Sequence, residues 1–174
     1  MTSEHPDHCP ICRYSFFDRV VQEWGFYIPH KVPSQNEMHN DSAGNKYKYK
    51  QYRSVFEDYC RIARLGLHIP EATRARRVLL YRYTGHRGRI YDYANFVGGC
   101  KPVIDAMVNM HLLVDDKEDM MRASYAQEKG THVTQAHLEE RFGALYWITH
   151  WAPDVGGLIV RLQDVEFGDE RTKP

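Results

Sequence analysis

The stretch over residues 89–119, RIYDYANFVGGCKPVIDAMVNMHLLVDDKED, constrains this chain more than any other. Its apolar positions Cys100, Val103, Ile104, Met107 and Val108, with His111 completing the stripe, recur at the three- and four-residue spacings of one helix face. Gly98 and Gly99 permit close backbone approach just before it. Pro102 is best tolerated in a first turn, so the regular helix is expected to start near Gly99. A helix of about 11 residues spans only about 16 Å. Asp92 precedes it and the pair Asp115, Asp116 follows it. Strands on either side would return the chain and bring the two acidic ends together, while Lys101 and Asp105 lie one turn apart on a neighbouring face.

Strands are indeed expected on both sides. Residues 76–84, RRVLLYRYT, form a compact β-branched and aromatic run, and residues 20–28, 119–127 and 158–167 read as three further strands. Tyr52, Val55, Phe56, Tyr59, Cys60, Ile62, Ala63 and Leu67 recur at helical spacing with charges between them, which predicts an amphipathic helix over residues 47–65. The polar residues between 33 and 45 favour local side-chain bonds and read as a loop. A second helix is expected over residues 136–147. The pattern describes an α/β (α+β) domain, a small mixed β-sheet with flanking helices. Residues 1–19 form a separate Cys/His segment, residues 20–167 the domain, with an apparent insertion at about 131–156, and residues 168–174 a flexible tail.

A chain of 174 residues is long enough to bury one core without staples. Its 23 basic residues balance its 23 acidic ones, so a polyanionic partner has to be met by a local patch. No apolar run is long enough for a membrane span, and the polar first ten residues do not read as a signal peptide, so a cytoplasmic protein is expected. Cys60 and Cys100 sit inside apolar patterns and are expected to be reduced.

Carboxylates gathered without enough basic partners favour a divalent cation. Mg²⁺ takes one or two carboxylates and completes its shell with water and phosphate oxygens. Such an ion beside a lysine is equipment for phosphoryl transfer. The same residues also suit a structural part: Asp92 as a turn cap, Lys101 and Asp105 as a surface pair, and Asp115, Asp116 as a solvated turn.

The order of these residues resembles the RusA family of Holliday-junction resolvases, whose pattern is an Asp-x-Asp-Asn run, a lysine, an Asp-Ala pair in the following helix and a closing Asp-Asp. The matching residues are Asp92, Asn95, Lys101, Asp105, Ala106, Asp115 and Asp116. The Gly98, Gly99 insertion is similar to the phage and prophage branch, and Val32, Pro33, Ser34, Gln35 and Asn36 resemble the family's N-terminal Pro-Ser-Asn loop. The resemblance implies a homodimeric, Mg²⁺-dependent (or Mn²⁺-dependent) endonuclease of four-way DNA junctions, phage or prophage encoded and working in a bacterial cytoplasm. Asp92 and Asp116, with Asp115 adjacent, would be its metal ligands, Lys101 its electrostatic catalyst, and Asn95 the support for the turn that presents Asp92. One position departs: Ala94 stands where the family has its second aspartate, which implies weaker metal binding and impaired cleavage. The alternative is a non-catalytic protein of phage recombination or replication that binds branched DNA.

Two basic clusters could meet phosphate. Arg74, Arg76, Arg77, Arg82, Arg87 and Arg89 fall between Glu71 and Asp92 with no acid among them, and are expected to track a DNA backbone from an exposed strand face. Lys46, Lys48, Lys50 and Arg53, interleaved with Tyr47, Tyr49 and Tyr52, could grip backbone and stack on unpaired bases. At the N-terminus His5, His8, Cys9 and Cys12 include the Cys-x-x-Cys spacing of half a Zn²⁺ site; an ordinary reduced terminus or a redox pair are the other readings.

Overall fold

The computed structural model describes residues 19–39, 45–84, 88–129, 136, 140 and 156–166. Four strands, β1 (Arg19–Ile28), β2 (Arg76–Thr84), β3 (Met121–Lys129) and β4 (Gly157–Glu166), form one mixed sheet in the order β1-β4-β2-β3. β4 runs antiparallel to both β1 and β2, and β2 runs parallel to β3. A parallel pair needs a crossover, and the chain makes it with α3 (Tyr93–Gly99) and α4 (Lys101–Asn109). The remaining helices, α1 (Gln35–His39) and α2 (Asn45–Gly66), lie between β1 and β2 in the chain. The α+β expectation holds, with all four strands within two or three residues of the predicted bounds.

The core joins both sheet and helices. Trp24, Phe26 and Ile28 of β1 meet Val78 and Leu80 of β2 and Val160 and Leu162 of β4, and Phe56, Cys60 and Ala63 of α2 join Val103, Ile104 and Met107 of α4. Burying a side chain of this size contributes about 1.5–3 kcal/mol. Every residue of β2 is buried, so the middle of the sheet is covered on both faces. Cys60 and Cys100 are buried and free, and burial pushes both thiols up, as suits structural cysteines. No helix among the described residues is long and apolar enough to cross a membrane.

Two local expectations need correction. Residues 33–45 do not form a loop throughout, because Ser34 and Glu37 make a reciprocal capping box that starts α1. The Glu37 N–H donates to Ser34 Oγ at 3.1 Å, and the Ser34 N–H donates to Glu37 Oε2 at 2.8 Å. Ser34→Ala is expected to cost about 1 kcal/mol. Thermal unfolding should register it as a Tm lower by about 2–4 °C. The regular helix α4 starts at Lys101, close to Gly99 and with Pro102 in its first turn as expected, and the short helix α3 precedes it. Asp92 is the N-cap of α3, and Cys100 ends α3 and begins α4. His111, expected to complete an apolar stripe, is instead exposed at φ 58°, with its Nδ1 3.5 Å from the Glu71 carboxylate. It follows the C-cap of α4, where a left-handed residue closes the helix through the bond from Leu112 N–H to Met107 O at 2.8 Å.

The expectation of close approach at the glycines holds. A Cβ on Gly99 would lie 1.9 Å from the Pro33 carbonyl oxygen, and one on Gly98 would lie 2.6 Å from the Gln35 side chain. The end of α3 is thus pressed against the start of α1, which sets the helix carrying Asp92 beside the Pro33–Ser34 corner.

Of the predicted helix over 136–147, positions 136 and 140 are described and both are helical. The remainder of that helix, the rest of the insertion, the Cys/His segment with His5, His8, Cys9 and Cys12, and the tail lie outside the described residues.

Candidate active site

Lys101 is the first residue of α4, a poor place for a cation because the helix N-terminus carries partial positive charge. Two carboxylates offset this. Asp105, one turn on, lies 2.8 Å from Lys101 Nζ, and Asp116, in the turn between α4 and β3, pairs with the same ammonium. Partial burial lowers the tendency of Lys101 to hold its proton, but the bonds to Asp105 and Asp116 outweigh it and raise its pKa above the ordinary range. It is a fixed cation at any working pH. Asp105 is held from its other oxygen by the Tyr49 hydroxyl of α2, and burial together with that bond raises the Tyr49 pKa. Asp115 turns back to accept the Asp116 N–H at 2.8 Å and pairs with Lys117 at 2.8 Å, which holds its carboxyl below the usual range.

Asp92 is presented separately. Its carboxylate accepts the Asn95 N–H at 3.0 Å and the Asn95 side-chain amide, and these bonds hold its pKa below the ordinary carboxylate value. It is exposed and ionised at neutral pH. Asn95 therefore does support the turn at Asp92. Behind it, Gln127 of β3 holds the preceding residue by both backbone groups, accepting from Tyr91 N–H at 3.1 Å and donating to Tyr91 O at 2.5 Å. The Arg82 guanidinium stacks on the Tyr91 ring at 3.8 Å. No sequence motif marks Gln127, because its partner lies 36 residues away, in the segment that leads into α3.

The structure thus brings Lys101, Asp105 and Asp116 together and sets Asp115 next to them. Asp92 and Asn95 stand at the far end of α3, and no hydrogen bond or ion pair joins them to the Lys101 group among the described residues. Ala94 is exposed in the first turn of α3, which contains no acid. Among the described residues no three His, Cys, Asp or Glu side chains converge to hold a metal. The donors are all carboxylate oxygens, the hard ligands Mg²⁺ takes one or two at a time. They fit an ion shared with substrate phosphate rather than one held in a closed protein cage. Asp116 and the adjacent Asp115 are the residues that would hold it beside Lys101; Asp92, engaged with Asn95 at the far end of α3, is not brought to the same point among the described residues.

A cavity of about 740 Å³ opens beside Lys101 and Asp116. Met38, Ile104, Met121 and Tyr125 give it apolar walls, and Lys50 and Arg53 of α2 add positive charge. Lys48 and Lys50 are exposed, and Arg53 pairs with Glu57 at 3.3 Å. The tyrosines interleaved with them divide. Tyr47 is exposed, Tyr49 serves the Lys101 group, and Tyr52 stacks on Phe56. The backbone at Lys46 is helical.

The arginine strand requires the largest correction. Arg76, Arg77 and Arg82 are not on an exposed phosphate-tracking face; they are 1%, 5% and 6% exposed. The cause is their place on a central strand, where each bonds a side chain directly across the sheet. Arg76 donates to Asp164 at 2.7 Å, Arg77 to Gln163 at 2.7 Å and Arg82 to Gln127 at 3.0 Å, all register partners. Arg76 also donates to Leu112 O and Pro70 O and lies over the Trp24 ring. Arg74 and Arg89 remain exposed, and Arg87 lies outside the described residues.

The sequence matches no protein-family model, and no curated protein matches it.

Proposed function

We propose that this chain is a structure-selective DNA endonuclease of the RusA type that acts on four-way junctions and cuts slowly because position 94 is alanine. The observation that carries the reading is the convergence of Lys101, Asp105 and Asp116, three residues of the ordered motif, beside a cavity bordered by Lys50 and Arg53. A cation clamped by two carboxylates is pre-organised, and one aimed at a scissile phosphate lowers the barrier without having to reorient.

In the reaction, Lys101 neutralises charge that develops on the phosphate, and Asp105 and Tyr49 hold the ammonium in place. Asn95 and Gln127 fix the segment from which Asp92 projects. Mg²⁺, when bound, supplies activation of water and neutralisation of phosphate charge. Lys50 and Arg53 bind backbone without reading bases, as selection by DNA shape requires. A four-way junction has two related strands to cut, so the working unit is a C2 homodimer with one site per protomer.

A labelled synthetic four-way junction compared with linear duplex in EDTA, Mg²⁺ and Mn²⁺ tests the reading. Junction-selective binding in EDTA and slow symmetric nicking with either metal are expected, and Lys101→Ala should lower nicking by about 10²–10³-fold. Equal affinity for duplex and junction would remove the proposal. Ala94, whose exposed methyl replaces an acid, favours a second reading in which the protein binds junctions without cutting them. Junction binding with no nicking in either metal would select it.

A further inference from the structure

Gln35 and Met38 line the cavity beside Lys101, whereas Ser34 and Glu37 line a second cavity of about 470 Å³. This one is bordered by three cations, Lys31, Arg82 and Arg89, against one carboxylate, Glu37. Glu37 is already engaged: it pairs with Lys31 at 2.5 Å and accepts the Ser34 N–H in the capping box. The Arg82 guanidinium feels the Glu37 charge through space but makes no hydrogen bond to it. Its hydrogen bonds among the described residues both leave from Nη1 and end on neutral oxygens, Arg89 O and Gln127 Oε1, each at 3.0 Å. A guanidinium carries five N–H donors, and a buried cation bonded only to neutral groups gains from an anion. Burial pulls this guanidinium below its ordinary pKa.

A second observation concerns a residue of the same lining. Thr84 lines the cavity, is 3% exposed, and its hydroxyl has no hydrogen-bond partner among the described residues. Buried hydroxyls are nearly always satisfied, so this one calls for a partner that the described residues do not supply, a water or an oxygen of a bound anion. A tetrahedral oxyanion answers these demands together. It offers charge to Arg82, an acceptor to Thr84 and further oxygens to Lys31 and Arg89.

We propose that this cavity is a phosphate subsite formed by Lys31, Arg82, Thr84 and Arg89, occupied by a backbone phosphodiester of the DNA strand that passes Asp92. The occupant rests on the junction-binding reading above; the oxyanion chemistry does not. Tyr91 lines the cavity and precedes Asp92, so a phosphate seated there fixes the strand's register along the carboxylate.

Two measurements on the full chain separate the parts. In the first, inorganic phosphate is titrated into isotopically labelled protein and followed by amide NMR. Saturable shifts at Thr84, Arg89 and Lys31 are expected, with at least tenfold weaker binding in Thr84→Val and in Lys31→Met/Arg89→Met. No saturable shift in the wild type would overturn the subsite. In the second, junction affinity is measured against salt for the same variants. The double variant is expected to lower the logarithmic slope by about 0.9, the value for a single phosphate that the protein no longer neutralises. Phosphate binding with no DNA affinity would keep the subsite and remove the DNA reading. Phosphate binding with DNA affinity unchanged in every variant would overturn the phosphodiester as occupant.

Discussion

Ala94→Asp is expected to raise the rate of Mg²⁺-dependent junction cleavage by several orders of magnitude. The substitution restores the acid the resemblance calls for, two residues beyond Asp92. The fold should accept it. Position 94 is exposed in the first turn of α3, where a carboxylate meets unpaired N–H groups and the positive end of the helix, so stability should be unchanged or rise by about 0.3–1 kcal/mol. Junction binding in EDTA should be unchanged or weaker, since an added negative charge repels phosphate. Asp92→Asn or Lys101→Ala added to the same protein should abolish the gain, and single-turnover cleavage of a labelled junction measures all three. Robust cleavage by the unaltered chain would mean that another carboxylate already suffices. No gain in a folded, junction-binding Ala94→Asp protein would mean that position 94 is remote from the chemistry.

Arg76→Ala should lower stability by about 3–5 kcal/mol. The Arg76 and Asp164 side chains are 2% and 12% exposed, and removing the guanidinium leaves a buried carboxylate with only the more distant Arg74, at 3.7 Å. The loss falls on the middle of the sheet, where Arg76 and Asp164 are cross-strand partners, and the Tm should drop by about 10 °C or more. The double variant Arg76→Met/Asp164→Leu should recover part of it, because an apolar pair of similar volume has no charge to compensate, while the Leu112 and Pro70 carbonyls still lose their donor. Chemical denaturation of the three proteins measures the difference. A single-variant loss below about 1 kcal/mol would place the pair with the weak exposed ion pairs.

These arginines also mark what the sequence leaves hidden. The run RRVLLYRYT reads as a strand because its period and β-branched content are local properties, and β2 has the predicted bounds. That Arg76, Arg77 and Arg82 are buried depends on Asp164, Gln163 and Gln127, whose positions across the sheet no local pattern announces. α2 was legible from its spacing alone. The start of α1 was also encoded, in the Ser34-x-x-Glu37 box, but the density of turn-forming residues around it reads as loop. Within the candidate site, the Lys101–Asp105 pair follows from helical spacing. The approach of Asp116 required the reversal after α4, and the roles of Tyr49 and Gln127 depend on contacts between separate elements.

The strand order has a consequence for how the molecule comes into being. β4, the last of the four described strands along the chain, lies second in the sheet and alone among them joins β1 to β2. A nascent chain that has released residues 19–129 can pair β2 with β3 and close the crossover bearing Lys101 and Asp116, yet the strand that β1 pairs with is still to come. Until β4 emerges from the ribosome, the inner edge of β2 exposes unpaired backbone and apolar side chains, the kind of surface chaperones shield and aggregation exploits. Completion of the sheet therefore follows the emergence of β4. It waits on contacts such as Trp24 with Leu162, which span nearly the whole described chain, so folding is expected to be slow relative to local helix formation.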